Sequence, residues 1–223
     1  MSNSASSSSA AQAARRAKRP APSSRRTQAD RRETAEQRLL DAAIRLIAER
    51  GIKGATLGDV GEAAGYSSGL TAHHFKTKDG LIKAVTAEIH RRFRQALSAA
   101  AQPGEGLQRL LATIDIYFSV SEVATSRTLL LIQKEALTQQ SEFRGVLRKF
   151  NRLAVDRIAA QIRIGIERGE IRPDIDVLAQ ATLMLASLRG TRAQWLQAPG
   201  KVDLAAVAEE MKAHVKRALG AMR

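Results

Sequence analysis

A chain of 223 residues with 44% hydrophobic and only 4% aromatic residues is long enough to bury a core, and its wealth of Ala, Leu, Ile, Arg, Glu and Gln favours helices over strands. The absence of cysteine excludes a disulfide framework and a thiolate metal site. No apolar run approaches the ~18 residues of a membrane span and no secretory signal is apparent, so a cytoplasmic location is expected. The net charge of +14 suits a polyanionic partner, nucleic acid or anionic lipid.

Residues 1–29 are rich in Ser, Ala, Pro and Arg and carry six cations (Arg15, Arg16, Lys18, Arg19, Arg25, Arg26) with no acid. With almost nothing to bury, this stretch is expected to be a disordered basic tail, either solubilising or lying along a polyanion; it lacks the amphipathic stripe of a transit peptide. From Asp30 the pattern becomes helical: Leu40, Ala43, Ile44 and Ile47 recur on one face, and Gly51 is placed to cap the end. Thr56 with Asp59 forms a capping-box start for a short second helix of about nine residues that Gly65 terminates. Ser67 caps a third short helix and Thr77 a fourth, which continues through Leu81, Val85, Ile89 and Phe93 to about Leu97.

Pro103 and Gly104 break the pattern. Five more apolar-periodic segments follow, over 107–120, 124–137, 142–168, 175–196 and 203–219, with no alternating strand pattern and no internal repeat. The expectation is an all-α, nine-helix, two-domain protein: the tail over 1–29, a helix-turn-helix unit over 30–80 and a helical unit over 81–223.

The glycine-rich stretch 56–81 admits three readings. A phosphate-cradling loop fails because neither nucleotide-binding glycine motif is present and no strand precedes the glycines. A metal site on His73 and His74 is disfavoured, since neighbours on a helix diverge by about 100° and cannot readily chelate one ion. Two short helices joined by a glycine-containing turn and flanked by longer helices is the helix-turn-helix arrangement, and Ser67, Ser68, Gly69, Thr71 and His73 are the small polar groups that a helix entering the major groove requires.

The residues Thr56, Ala64, Gly65, Ser67, Gly69, His74, Phe75, Lys78 and Leu81 stand as they do in the DNA-binding signature of TetR-family transcriptional regulators, which the stretch resembles over about 50 residues. The departures are Val60-Gly61 for the common Ile-Ala pair, Tyr66 for Val, which can pack its ring and leave a hydroxyl for a phosphate, and Ala72 for the Tyr that normally touches a phosphate. The resemblance implies that Ser68, Gly69 and His73 approach base edges, that His74 and Lys78 touch the backbone, and that Thr56 offers a hydroxyl to a phosphate, with Ser67 and Thr71 completing the DNA-binding set. Phe75 and Leu81 are expected in the core.

For the remainder, the resemblance implies an effector cavity among the helices that carry Ile114, Tyr117, Phe118, Leu130, Gln133, Phe150, Met184 and Trp195. It also implies a homodimer through the last two helices, where Ala186 and Gly190 permit close approach and Leu204, Val207, Met211 and Val215 form a stripe. The function so implied is a sequence-specific regulator of transcription, a repressor that a small-molecule effector releases from a palindromic operator. The alternative is an effector-independent nucleoid-associated or architectural DNA-binding protein. No nucleophile-base motif and no cofactor loop appears, so neither an enzyme nor a bound cofactor is expected.

Overall fold

The computed structural model describes residues 28–99, 104–119, 123–138 and 143–221, so the tail expected over 1–29 lies, up to residue 27, outside the described residues. Among the described residues there are nine α-helices: α1 Gln28–Gly54, α2 Leu57–Ala63, α3 Ser68–Phe75, α4 Lys78–Ala99, α5 Leu107–Ser119, α6 Val123–Thr138, α7 Phe143–Glu167, α8 Val177–Gln197 and α9 Leu204–Leu219. The chain divides into two compact units between Glu36 and Gln37. Of the first, the described part is the opening of α1, where the Thr34 hydroxyl donates to the Asp30 carbonyl at 2.7 Å.

The punctuation expected from the sequence is realised in the backbone. Gly51 takes φ 74° and ψ 174°, interrupting the helical run that continues to Gly54. Thr56 and Asp59 make the reciprocal capping box: the Thr56 Oγ1 accepts from the Asp59 amide at 3.1 Å and the Asp59 carboxylate accepts from the Thr56 amide at 2.9 Å. The helix that follows has seven residues, two fewer than expected, because Ala64 already serves as its C-cap, before Gly65 at φ 76°. The Ser67 hydroxyl caps α3 by accepting from the Leu70 amide at 3.3 Å, and the Thr77 hydroxyl accepts from the Gly80 amide at 3.0 Å. Asp176 and Asp203 do the same for α8 and α9, each accepting from two backbone amides. Such caps satisfy amides that have no partner within the helix.

Apolar residues of the second unit gather in two cores. The first unites Leu39, Ile44 and Ile47 of α1 with Val60, Phe75 and, from α4, Leu81, Ile82, Val85 and Ile89. It also takes in Ile132 and Ala136 of α6. Beside them the buried Thr128 hydroxyl of α6 donates to the Ile44 carbonyl of α1 at 2.7 Å. The second core draws on α5, α7, α8 and α9 around Ile114, Ile162, Leu188 and Ala208. α4 and α6 therefore pack on the first core with one face and leave another free to wall a cavity.

A polar cluster ties α1 to α4. Glu88, only 6% exposed, accepts from Arg91 at 2.6 Å, from Arg92 at 2.7 Å and from Gln37 at 3.1 Å, and Arg92 also pairs with Asp41. These donors hold the Glu88 carboxyl down at about 2, Arg91 contributing most, against the opposing effect of burial.

The stripe Leu204, Val207, Met211 and Val215 packs on the second core. Val215 is buried at 6% exposure, and the other three are half-buried against the second core of their own chain. Of the four, only Val215 is sealed inside its own chain; the other three keep part of their surface open. Among the described residues, large apolar side chains stand exposed at Val123 and Leu137 of α6 and Leu153 of α7, and on α8, where Leu178 and Leu183 are 53% and 59% exposed and Ala179, Ala186 and Gly190 stand exposed with them.

Candidate nucleic-acid interface and an interior cavity

Helices α2 and α3 approach so closely that a side chain at position 61 would have to push its neighbours aside. A Cβ on Gly61 would stand 2.7 Å from the Thr71 Oγ1, 3.1 Å from the Ser67 carbonyl oxygen and 3.2 Å from that of Tyr66. Thr71 itself is fully buried, and its hydroxyl donates to the Ser67 carbonyl at 3.4 Å. Its inclusion in the DNA-contacting set is thereby corrected: a side chain sealed between two helices cannot reach a base or a phosphate. The glycine at 61, a departure from the family pattern, and the threonine at 71 are explained together, since the hydroxyl fills the space that a methyl group at 61 would otherwise take.

The exposed surface of α3 consists of Ser68, Gly69, Ala72 and His73, with Ser67 before it and Lys76 after it. These small groups leave α3 free to enter a groove about 12 Å wide. His74 is half-buried beside Phe75, whose ring belongs to the first core, as does Leu81. Tyr66 is half-buried against the same core.

The exit from α3 is strained. Lys76 takes φ 62° and ψ −53°, and the Thr77 amide donates to the Phe75 carbonyl at 2.7 Å, closing a γ-turn of a kind rarely occupied by a residue with a side chain. Gly80 permits this turn, because a Cβ there would come within 2.1 Å of the same Phe75 oxygen. Nothing in the helical periodicity announces Lys76, which the strained turn leaves exposed at the end of the reading helix.

Two expected phosphate ligands have partners within the chain. The Thr56 hydroxyl donates to the Asp59 carboxylate at 2.5 Å, and those bonds with Thr56 lower the carboxyl below its ordinary range. Lys78 Nζ donates to the Lys53 carbonyl at 3.0 Å, joining the start of α4 to the end of α1.

A cavity of about 500 Å³ lies among α4, α5, α6, α7 and α8. Of the residues expected around an effector, Tyr117, Leu130 and Gln133 line it. Ile114, Phe118 and Met184 are buried in the second core instead. Phe150 stacks on His90 at 4.4 Å between centroids, and Trp195 lies with its ring 5.4 Å from the Arg192 guanidinium carbon. Sequence reasoning missed the polar part of the lining, which includes His90, Thr113, Gln161 and several arginines. A signal was present: Arg189 and Arg192 continue the apolar stripe of Leu185 and Leu188 at helical spacing, where a solvated arginine does not belong.

The family model for bacterial regulatory proteins, tetR family, matches residues 39–85, the stretch that builds this interface. The chain is 27% identical over 180 residues to the HTH-type transcriptional repressor KstR2 of Rhodococcus jostii, covering 77% of this chain and 84% of that protein. It is 30% identical over 174 residues to the HTH-type transcriptional regulator BetI of Brucella anthropi, covering 77% and 88%. Among solved structures, a TetR-family regulator from Rhodococcus sp. superposes with a TM-score of 0.76 at 25% identity, covering 84% of this chain and all of that one. The complex of AibR with isovaleryl coenzyme A and operator DNA shares the fold with a TM-score of 0.63 at 21% identity, covering 81% and 97%. With the capped helix pair, the exposed third helix and the likeness running well beyond the matched motif, this chain belongs to the tetR family of bacterial regulatory proteins and is a DNA-binding regulator of transcription.

Proposed function

We propose that the protein is a repressor that binds a palindromic operator as a homodimer and leaves it when a small molecule fills the cavity. The observation that carries this reading is the double use of α4 and α6: Ile89 belongs to the core beneath α3 and also lines the cavity, and Ile132 of that core is flanked by the cavity residues Leu130 and Gln133. A ligand that favours one placement of these helices therefore shifts the helix-turn-helix unit, taken as residues 30–80, relative to the rest. AibR, which shares the fold, is known in complex with isovaleryl coenzyme A and operator DNA, so this fold accommodates both kinds of partner. The protein works in the cytoplasm and as a regulator rather than an enzyme; no described helix is long and apolar enough to cross a membrane.

In this reading Ser68, Gly69 and His73 meet base edges, while Lys76 and, on giving up its bond to the Lys53 carbonyl, Lys78 meet phosphates. The exposed face of α8 with Leu183, Ala186 and Gly190 pairs with its symmetry mate, because small residues allow close helix approach and an apolar face of this kind otherwise stays in water. Selection of bound duplexes from a random pool tests the function. A palindromic consensus bound far more tightly than random DNA at fixed salt is expected, and a specificity ratio below about ten would favour the architectural alternative. On the selected operator, His73→Ala is expected to change the base preference at one position of each half-site, whereas Lys76→Ala weakens all sequences alike.

A further inference from the structure

Among the described residues, the cavity is lined by six arginines and by no aspartate or glutamate. Arg92 is neutralised outside it by Asp41 and Glu88. The other five, Arg94, Arg109, Arg157, Arg189 and Arg192, have no carboxylate partner among the described residues. Where they do find acceptors, these are neutral: Arg109 donates to the Leu97 carbonyl at 3.1 Å, Arg189 to the Asn151 side-chain oxygen and Arg192 to the Tyr117 carbonyl.

Arg192 is the extreme case. It is only 6% exposed, its guanidinium carbon lies 5.5 Å from the Tyr117 ring centroid and 5.4 Å from that of Trp195, and its Nη1 is buried without a hydrogen-bond partner. A guanidinium withdrawn from water with an unused donor is costly in the empty protein, and an anion delivered to it removes that cost. The surroundings repeat the message: burial first, then the charges of Arg189, Arg157 and Arg94, push the imidazole of His90 down to about 4. Leu129, Leu130, Leu185 and Leu188 supply an aliphatic wall.

We infer that the effector is an amphipathic anion, a carboxylate on an aliphatic chain, whose head is held by Arg189 and Arg192 and whose tail lies along the leucines. Arginine is the side chain suited to this task, since its planar fork matches a carboxylate with two parallel hydrogen bonds. The inference rests on the reading of this cavity as the effector site, and it selects one chemistry from those an apolar pocket would accept. A cationic or neutral ligand of the same length leaves the arginines uncompensated.

The test uses the full chain and three probes with the same tail: decanoate, decanol and decyltrimethylammonium. Binding is followed by the fluorescence of Trp195, the single tryptophan of the sequence, and operator release is followed separately. Decanoate is expected to bind at least about tenfold more tightly than decanol, with no binding of the ammonium probe. Arg189→Met and Arg192→Met are each expected to weaken decanoate about tenfold or more while leaving decanol unchanged, and either variant that folds suffices. Equal affinity for decanoate and decanol, no binding of decanoate, or variants that retain decanoate affinity would overturn the anionic effector. The effector reading itself fails by a different sign: decanoate that binds at Trp195, depends on Arg189 and leaves the operator complex intact.

Discussion

Replacing Gly61 with alanine puts a number on the closeness of α2 and α3. The new methyl carbon meets the Thr71 Oγ1 at 2.7 Å and two backbone carbonyl oxygens at 3.1 and 3.2 Å, and Thr71 is fully buried with no room to turn away. Overpacking of this kind costs about 1–3 kcal/mol, and the better helix propensity of alanine returns up to about 1 kcal/mol. Gly61→Ala is therefore expected to destabilise the protein by about 1–2 kcal/mol. The shortest contact is with the hydroxyl, so in a Thr71→Ala background the same change is expected to cost about 1 kcal/mol less, a positive coupling in a double-mutant cycle. Urea unfolding of the four proteins, read at constant m-value, measures it. Additivity within about 0.5 kcal/mol would refute the claim that glycine at 61 and threonine at 71 share one space.

Gly80→Ala is expected to be worse than Gly61→Ala, because its Cβ would stand 2.1 Å from the backbone oxygen of Phe75, which cannot move without opening the turn after α3; loss of operator binding together with a drop in melting temperature is the signature. Glu88 has its carboxyl depressed in the folded state from 4.5 to about 2, so its stabilisation is complete above about pH 4.5 and is lost as the pH falls from there toward 2. The loss amounts to at most about 3 kcal/mol, reduced by the screening of half-exposed Arg91, and Glu88→Gln should flatten that limb of a stability-versus-pH curve. Leu183→Glu on the exposed face of α8 is expected to give monomers by light scattering with weakened operator binding; a dimeric variant would place the interface on another face.

Much of the fold can be read in the sequence because helix ends are written in local chemistry. Thr56 with Asp59, Ser67, Thr77 and the glycines at 51 and 65 each act within a few residues of themselves, and the structure places them in those roles. What depends on distant partners is harder to read. Thr71 looks like a polar residue on a reading helix until Gly61 is seen to lie against its hydroxyl. The α9 stripe of Leu204, Val207 and Met211 has the same periodicity whether it faces its own core or a partner, and the packing of α5 against α9 that covers part of it cannot be read from that periodicity. The arginines around the cavity come from four helices, α4, α5, α7 and α8, and their convergence has no trace in any one segment.

The presence of Ile132 and Ala136 in the first core, with Thr128 bonded to the Ile44 carbonyl, limits how such regulators can be recombined. A chimera made by grafting the front of this chain onto the back of a relative would inherit the apolar pocket around Ile44 and Val85 but receive its lid from a stranger. Transplants that also carry the matching residues at 128, 132 and 136 should keep the operator of one parent and the ligand of the other. Those cut at residue 80 without them should fold poorly or lose communication between the halves. The same three positions are the natural place for compensating changes when one half is altered by selection and the other is not.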